Sequence, residues 1–386
     1  MATKKDKTDD KKDIAQGILA KALEDDNKHF NNIVPQDYTV STGSLEMDTK
    51  MGGGIRPAII RLGGISELGK TSFSLNVVKN FLDEKNRRGV YFLSDKELSH
   101  EILARSGVKF VEDVDEWVDG TCFIIRTNVY EMVCNTIKKL IQPRDKTYAF
   151  VLDSMDNFAP QSALEVDFGE SFAKGGTGAI SSHFFRCFNI LLPRLGHLTL
   201  MISQARDSIV IGRQANPTFK QMNSAGGRAI EHAVSWALEF VPAMNSKEDM
   251  FWEGEPWKSK KLGHVCVIQF KKSTNEKTGE KVRIPILYGR TAGNSIWKEY
   301  EVYRELVKWG LVTVKSSWFS FAPEAAKELK DAKIDFMEKI QGEPAFLKYL
   351  EENAPLTEYY HTRFKNILSK LSQPKQSSKI ANDASF

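Results

Sequence analysis

The stretch "LGGISELGKTSFSL", residues 62–75, carries Gly64, four intervening residues, and then Gly69-Lys70-Thr71. This is the spacing of a phosphate-binding loop, and the flanks are the ones such a loop requires. "AIIRL" before it reads as a strand, and "TSFSLNVVKNFL" after it has the apolar period of a helix. Glycines let backbone N–H groups close around phosphates, and the helix N-terminus adds partial positive charge. In this reading Gly64, Gly69, Lys70, Thr71 and Ser72 form the nucleotide cradle, with Lys70 on the β- and γ-phosphates and the Thr71 hydroxyl on Mg2+. The stretch alone specifies ATP or GTP.

Magnesium needs a second anchor at the end of an apolar strand, and "YAFVLDS" offers Asp153. Hydrolysis needs a group that activates or places water. "GVYFLSDKE" ends in two acids, Asp95 and Glu97, of which one is expected to serve and the other to be a loop acid.

From "AIIRLGG" onward, β-rich runs alternate with helical ones: "GVYFLSD", "TCFIIRT", "YAFVLDS", "HLTLMIS", "VSWALEFV", "HVCVIQFKK" and "KVRIPILYG". Nearly continuous apolar strands predict a mainly parallel sheet covered on both faces, an α/β layout. The later strands alternate more and are joined by "STNEKTGE", which suits an antiparallel hairpin at one edge. The chain is divided into a tail and N-terminal helix (1–34), an ATPase core (35–294), a small, mostly helical C-terminal domain (295–368), and a disordered basic tail (369–386). In the first segment Ile14, Ile18, Leu19 and Leu23 share one helical face, which either folds back on its own core or docks on a neighbouring subunit.

Composition sets outer limits. The 386 residues include 54 Lys and Arg against 50 Asp and Glu, so the net charge of +4 does not argue for nucleic acid by itself. The four cysteines, Cys122, Cys134, Cys187 and Cys266, form no CxxC pair, and buried free thiols in a reducing compartment are expected. No apolar run of about 18 residues occurs, so a soluble, cytoplasmic protein without a membrane partner is expected.

The connections after Asp153 and after Gln204 are long for a compact domain. The second holds Arg206, Arg213, Lys220 and Arg228 around Ile209, Val210 and Ile211. Cations neutralise phosphates and apolar side chains wedge between bases, which suits a single strand bound without sequence preference; a plain lid has the same composition. The first connection is less basic and offers Leu164, Val166 and Phe168 as wedges.

In order and spacing, the chain resembles the RecA-type recombinases of bacteria and phages from about residue 36 to 322. The resemblance is carried by "VSTGSLEMDTKMGGGIRPAIIRLGGISELGKTS", "VLDSMDNFAP", "LMISQAR", "NPTFKQMNSAGGRAIEHAVSWALEF", "VIQFKKS", "IPILYG" and "LVKWGLVTVKSSWFSF". It implies a RecA-like P-loop core, ATP and Mg2+ as ligands, and a DNA-dependent ATPase that forms a helical homo-oligomeric filament on single-stranded DNA. That filament would promote pairing and strand exchange with double-stranded DNA in recombination and repair, in company with single-strand-binding and mediator proteins. It implies that Gln204 couples the γ-phosphate to the DNA loops and that Lys271 and Lys272 act on the neighbour's ATP; by residue type alone the lysine pair reads as a solvated strand edge. It implies that Tyr288 touches the base from that neighbour. The family's Asp-x-Glu falls on Asp95 and Glu97 and makes Glu97 the catalytic acid, whereas alignment on "ARSGV" gives Asp95. Departures from the family pattern are Glu231 and His232, where it has a lysine and an aromatic, Leu103 in place of an adenine-packing ring, and a basic end with Lys365, Lys370, Lys375 and Lys379. A hexameric helicase motor and an ATP-assembled filament without turnover are the rival readings.

Overall fold

In a computed structural model, residues 7–25, 28–165, 176–204, 227–243, 249–256 and 258–372 are described. The central sheet is built from β1 (Ile59–Gly64), β2 (Arg87–Leu93), β3 (Phe110–Val111), β4 (Cys122–Arg126), β5 (Thr147–Asp153), β6 (Leu198–Ile202), β7 (Trp236–Val241), β8 (Met250–Trp252), β9 (Lys261–Lys272) and β10 (Lys281–Leu287). Its order is β10-β9-β7-β1-β6-β5-β2-β4-β3, with β8 paired to β9. From β7 through β3 all neighbours run parallel, with β1 between β6 and β7. The edge formed by β9 with β7, β8 and β10 is antiparallel.

Strand alternation explains why both faces are covered. Ile60 and Leu62 of β1 and Val151 of β5 point into one core, filled from the helix Lys70–Leu82 by Leu75, Val78 and Phe81. Ile59, Phe92, Phe150 and Leu152 point into the other, filled by Val133 and Ile137 of the helix Tyr130–Ile141 and by Phe184 and Phe185 of the helix Gly176–Phe188. Every residue of β1 and β5 is buried, the condition under which a strand reads as a continuous apolar run.

The C-terminal region has its own core, in which Val302, Leu306, Phe346, Leu350, Tyr360 and Phe364 meet. Its helices Lys298–Lys308, Pro323–Asp331, Glu343–Glu352 and Ala354–Ser372 are joined by a three-stranded antiparallel sheet of β11 (Val312–Lys315), β12 (Trp318–Phe321) and β13 (Lys339–Gln341). The last helix runs to Ser372, past the expected boundary at 368. The N-terminal helix, Lys7–Ala22, does not fold back: Ile14, Ile18 and Leu19 are each more than 60% exposed. All four cysteines are free thiols, but of the buried set expected only Cys122 is fully buried; Cys134 and Cys266 are half-buried and Cys187 is exposed. Among the described residues no helix is long and apolar enough to cross a membrane.

Candidate nucleotide site and its links

The sharp turn after β1 depends on Gly64. Its φ is +136°, and a Cβ there would lie 2.4 Å from the carbonyl oxygen of Phe240 on the adjacent strand. Gly69, at φ +93°, ends the loop and opens the helix Lys70–Leu82. The Lys70 ammonium is folded back into the loop, donating to the carbonyls of Gly64 at 2.8 Å and Ile65 at 2.6 Å. Burial pulls its pKa below the usual lysine value, opposed by the charges of Asp153, Glu239 and Asp156.

Parallel β5, separated from β1 by β6 alone, brings the second anchor to the loop. Thr71 Oγ1 donates to Asp153 Oδ2 at 3.1 Å, and the Tyr91 hydroxyl donates to the same oxygen at 2.5 Å. Burial raises the Asp153 pKa, opposed by these two bonds. Tyr91 was not singled out by sequence, although a tyrosine inside an otherwise apolar strand needs a hydroxyl partner. One carboxylate beside one hydroxyl, at the mouth of a phosphate loop, is a donor set suited to Mg2+ that takes its other ligands from phosphate and water.

These groups line a cleft of about 810 Å³ that also takes in Ser72, Asp95, Gln204 and Tyr288. Its apolar wall includes Phe73, Ile102, Ile284, Ile286 and Ile296, and Leu103 is not in the lining. Tyr288 lines the cleft of its own chain, and its ring lies 5.4 Å from that of His264.

The two acids after β2 part company. Asp95 Oδ2 accepts from Gln204 Nε2 at 3.3 Å inside the cleft. Glu97 turns outward and accepts from Arg126 Nε at 2.5 Å, with its side chain 65% exposed and outside the cleft lining. Gln204 is held from its other side, its backbone N–H donating to Asp156 Oδ2 at 2.6 Å.

The lysine pair also divides. Lys272 Nζ donates to the carbonyls of Glu231 at 3.0 Å and His232 at 2.9 Å, capping the helix Gly227–Ala233 of its own chain. Lys271 is exposed, and its charge helps hold down the pKa of buried Glu239. Below them Arg61 Nε donates to Ser203 Oγ at 3.0 Å, a buried contact between β1 and the residue before Gln204 that sequence reading missed. Arg206, Ile209, Val210, Ile211, Arg213 and Lys220 lie outside the described residues, as do Val166, Phe168, Lys375 and Lys379. Arg228 falls in the helix Gly227–Ala233, and only its backbone is described.

With this geometry in view, the chain is 25% identical over 298 residues to Protein RecA of Cereibacter sphaeroides, a match covering 76% of this chain and 78% of that one. Protein RecA of Aquifex aeolicus is 24% identical over 323 residues, covering 83% and 81%, and that of Rickettsia massiliae 25% identical over 347 residues, covering 89% and 85%. In sequence the chain is thus similar to RecA proteins over most of its length, at low identity. No protein-family profile matches it. The mostly parallel sheet, with β1 and its phosphate loop among its inner strands, is consistent with a RecA-like core.

Proposed function

We propose that this RecA-type protein is a DNA-dependent ATPase that assembles as a filament on single-stranded DNA and promotes homologous pairing and strand exchange. The observation that carries the reading is the Asp95–Gln204 hydrogen bond. It joins the cleft that would hold ATP to the first residue before the basic and apolar segment 205–226, so a change at the γ-phosphate has a direct mechanical route to the proposed DNA-contacting stretch.

In this reading Lys70 exchanges the Gly64 and Ile65 carbonyls for phosphate oxygens. Thr71 and Asp153 hold Mg2+, which when bound neutralises developing phosphoryl charge. Tyr288 and the isoleucine wall take the base. Asp95, rather than Glu97, orients the attacking water and accepts its proton as the water oxygen attacks the γ-phosphorus and the bond to the bridging oxygen of ADP breaks. Gln204 reports the loss of the γ-phosphate to segment 205–226. Lys271, exposed and able to reach outward, supplies a cation to the adjacent subunit's ATP, which makes turnover depend on assembly.

The test is ATP hydrolysis measured with and without single-stranded DNA, alongside electron microscopy with a slowly hydrolysed ATP analogue. DNA-stimulated turnover and DNA-length filaments are expected. Closed rings that unwind a forked duplex would overturn the recombinase reading, and filaments without measurable turnover would overturn the ATPase reading.

A further inference from the structure

A second cavity, of about 420 Å³, lies at the opposite edge of the sheet from the nucleotide cleft, where β2, β5 and β6 begin. Strands of this length separate the two sites by about 20 Å. Its walls carry Lys85, Arg87, Arg144, Lys146 and Arg194 against a single acid, Asp145. Three of these cations are already held in place: Arg87 over the Tyr38 ring at 4.1 Å, Lys146 by Asp119 at 2.9 Å, and Arg194 by the Ile33 carbonyl at 2.8 Å. Lys85 and Arg144 are exposed and make no ion pair among the described residues.

His197 also lines this cavity although only 1% of it is exposed. The Tyr148 backbone N–H donates to its Nδ1 at 3.1 Å, and the ring is packed between those of Tyr148 and Phe150 at 5.6 and 5.9 Å. An accepting Nδ1 assigns the proton of the neutral ring to Nε2. Burial pulls the pKa of His197 down to about 4, so the ring is neutral at physiological pH. Nε2 is buried and has no hydrogen-bond partner among the described residues. A buried donor left unsatisfied carries a free-energy cost, and the ring that carries this one lines a cavity rich in cations.

We propose that this cavity is a phosphate-binding site, in which His197 Nε2–H donates to a phosphate oxygen while Lys85 and Arg144 close over the anion. A tetrahedral phosphate group suits the set better than a carboxylate does, because it offers oxygens both to the buried imidazole N–H and to cations on two separate loops. The phosphate is either free or one unit of a nucleic-acid backbone, and the chemistry of recognition is shared.

The test uses the full chain with 15N-labelled histidine rings, the His197 resonance being identified by its absence in His197→Gln. Inorganic phosphate is titrated at constant ionic strength set with chloride. The readout is local to His197, so phosphate taken up near Lys70 leaves it in place. A saturable shift is expected that weakens at least tenfold in Lys85→Glu/Arg144→Glu, two exposed positions whose substitution leaves the core intact. Repeating the titration with an oligothymidylate distinguishes the sources: a matching shift, lost in the double variant, assigns the site to a DNA backbone, and a response to inorganic phosphate alone assigns it to a small ligand. No saturable shift with either probe, or one unchanged in the double variant, overturns the proposal.

Discussion

Asp95 and Glu97 are two residues apart, and their different fates follow from one partner. Arg126, at the end of β4, draws Glu97 to the surface, while Asp95 meets Gln204 in the cleft. Asp95→Asn is therefore expected to lower kcat about 10²- to 10⁴-fold, the range for loss of a positioned base, with nucleotide binding retained. Glu97→Gln should change kcat less than about threefold, since an exposed pair contributes little. Steady-state hydrolysis on DNA checks both, and the reverse ranking would return the role to Glu97. Gly64 is the other position where a single atom decides: Gly64→Ala should abolish nucleotide binding, measured with a fluorescent ATP analogue, because the added methyl collides with the Phe240 carbonyl. The cradle was legible because Gly64, Gly69, Lys70 and Thr71 lie within eight consecutive residues at a fixed spacing. The choice between the two acids was not, because Arg126 comes from a separate strand and no local pattern reveals which way a side chain turns after a strand ends.

The eight long strands were legible for the reason that they pack: β1, β2, β5, β6 and β7 bury most of their residues and read as apolar runs, while β4, β9 and β10 are only partly buried and alternate more. β3 and β8 were not, since two or three residues carry no period, and β11 to β13 were hidden inside a stretch that reads as helical. A buried contact between separated elements was equally invisible. Glu301, on the helix Lys298–Lys308, accepts from Ser44 Oγ at 2.6 Å and from the Leu45 N–H at 2.9 Å, which fastens the C-terminal region to the helix Leu45–Lys50. Burial raises its pKa to about 7. In the folded chain it then binds a proton that the unfolded chain releases near the ordinary carboxyl value, so stability is highest below that value and falls as pH rises toward 7. The loss across this window is roughly 2–3 kcal/mol from this group. Glu301→Gln, which keeps the acceptor for Ser44, should flatten the dependence of the urea midpoint on pH between about 5 and 7; an unchanged slope would show that Glu301 is ionised throughout.

A single chain leaves the proposed machine incomplete in two places that face outward. Lys271 is exposed beyond its own cleft, and the N-terminal helix presents Ile14, Ile18 and Leu19 to solvent. An exposed apolar stripe, left uncovered by the described residues of its own chain, is explained if a second copy covers it, the arrangement a filament supplies at every joint. Ile18→Asp removes the centre of that stripe and places a charge there. Because the side chain is solvent-exposed in the monomer, the fold and nucleotide binding should be unaffected. Assembly should weaken by roughly ten- to a hundredfold, the equivalent of losing about 1.5–3 kcal/mol of burial at each joint. Sedimentation with single-stranded DNA and an ATP analogue reads this directly, with Lys271→Ala run alongside. Lys271→Ala should sediment nearly as the unsubstituted chain but turn over ATP slowly, since its cation acts on chemistry across the joint rather than on its formation. Equal sedimentation of Ile18→Asp and the unsubstituted chain would show that the helix covers some other surface and that the joint is built without it.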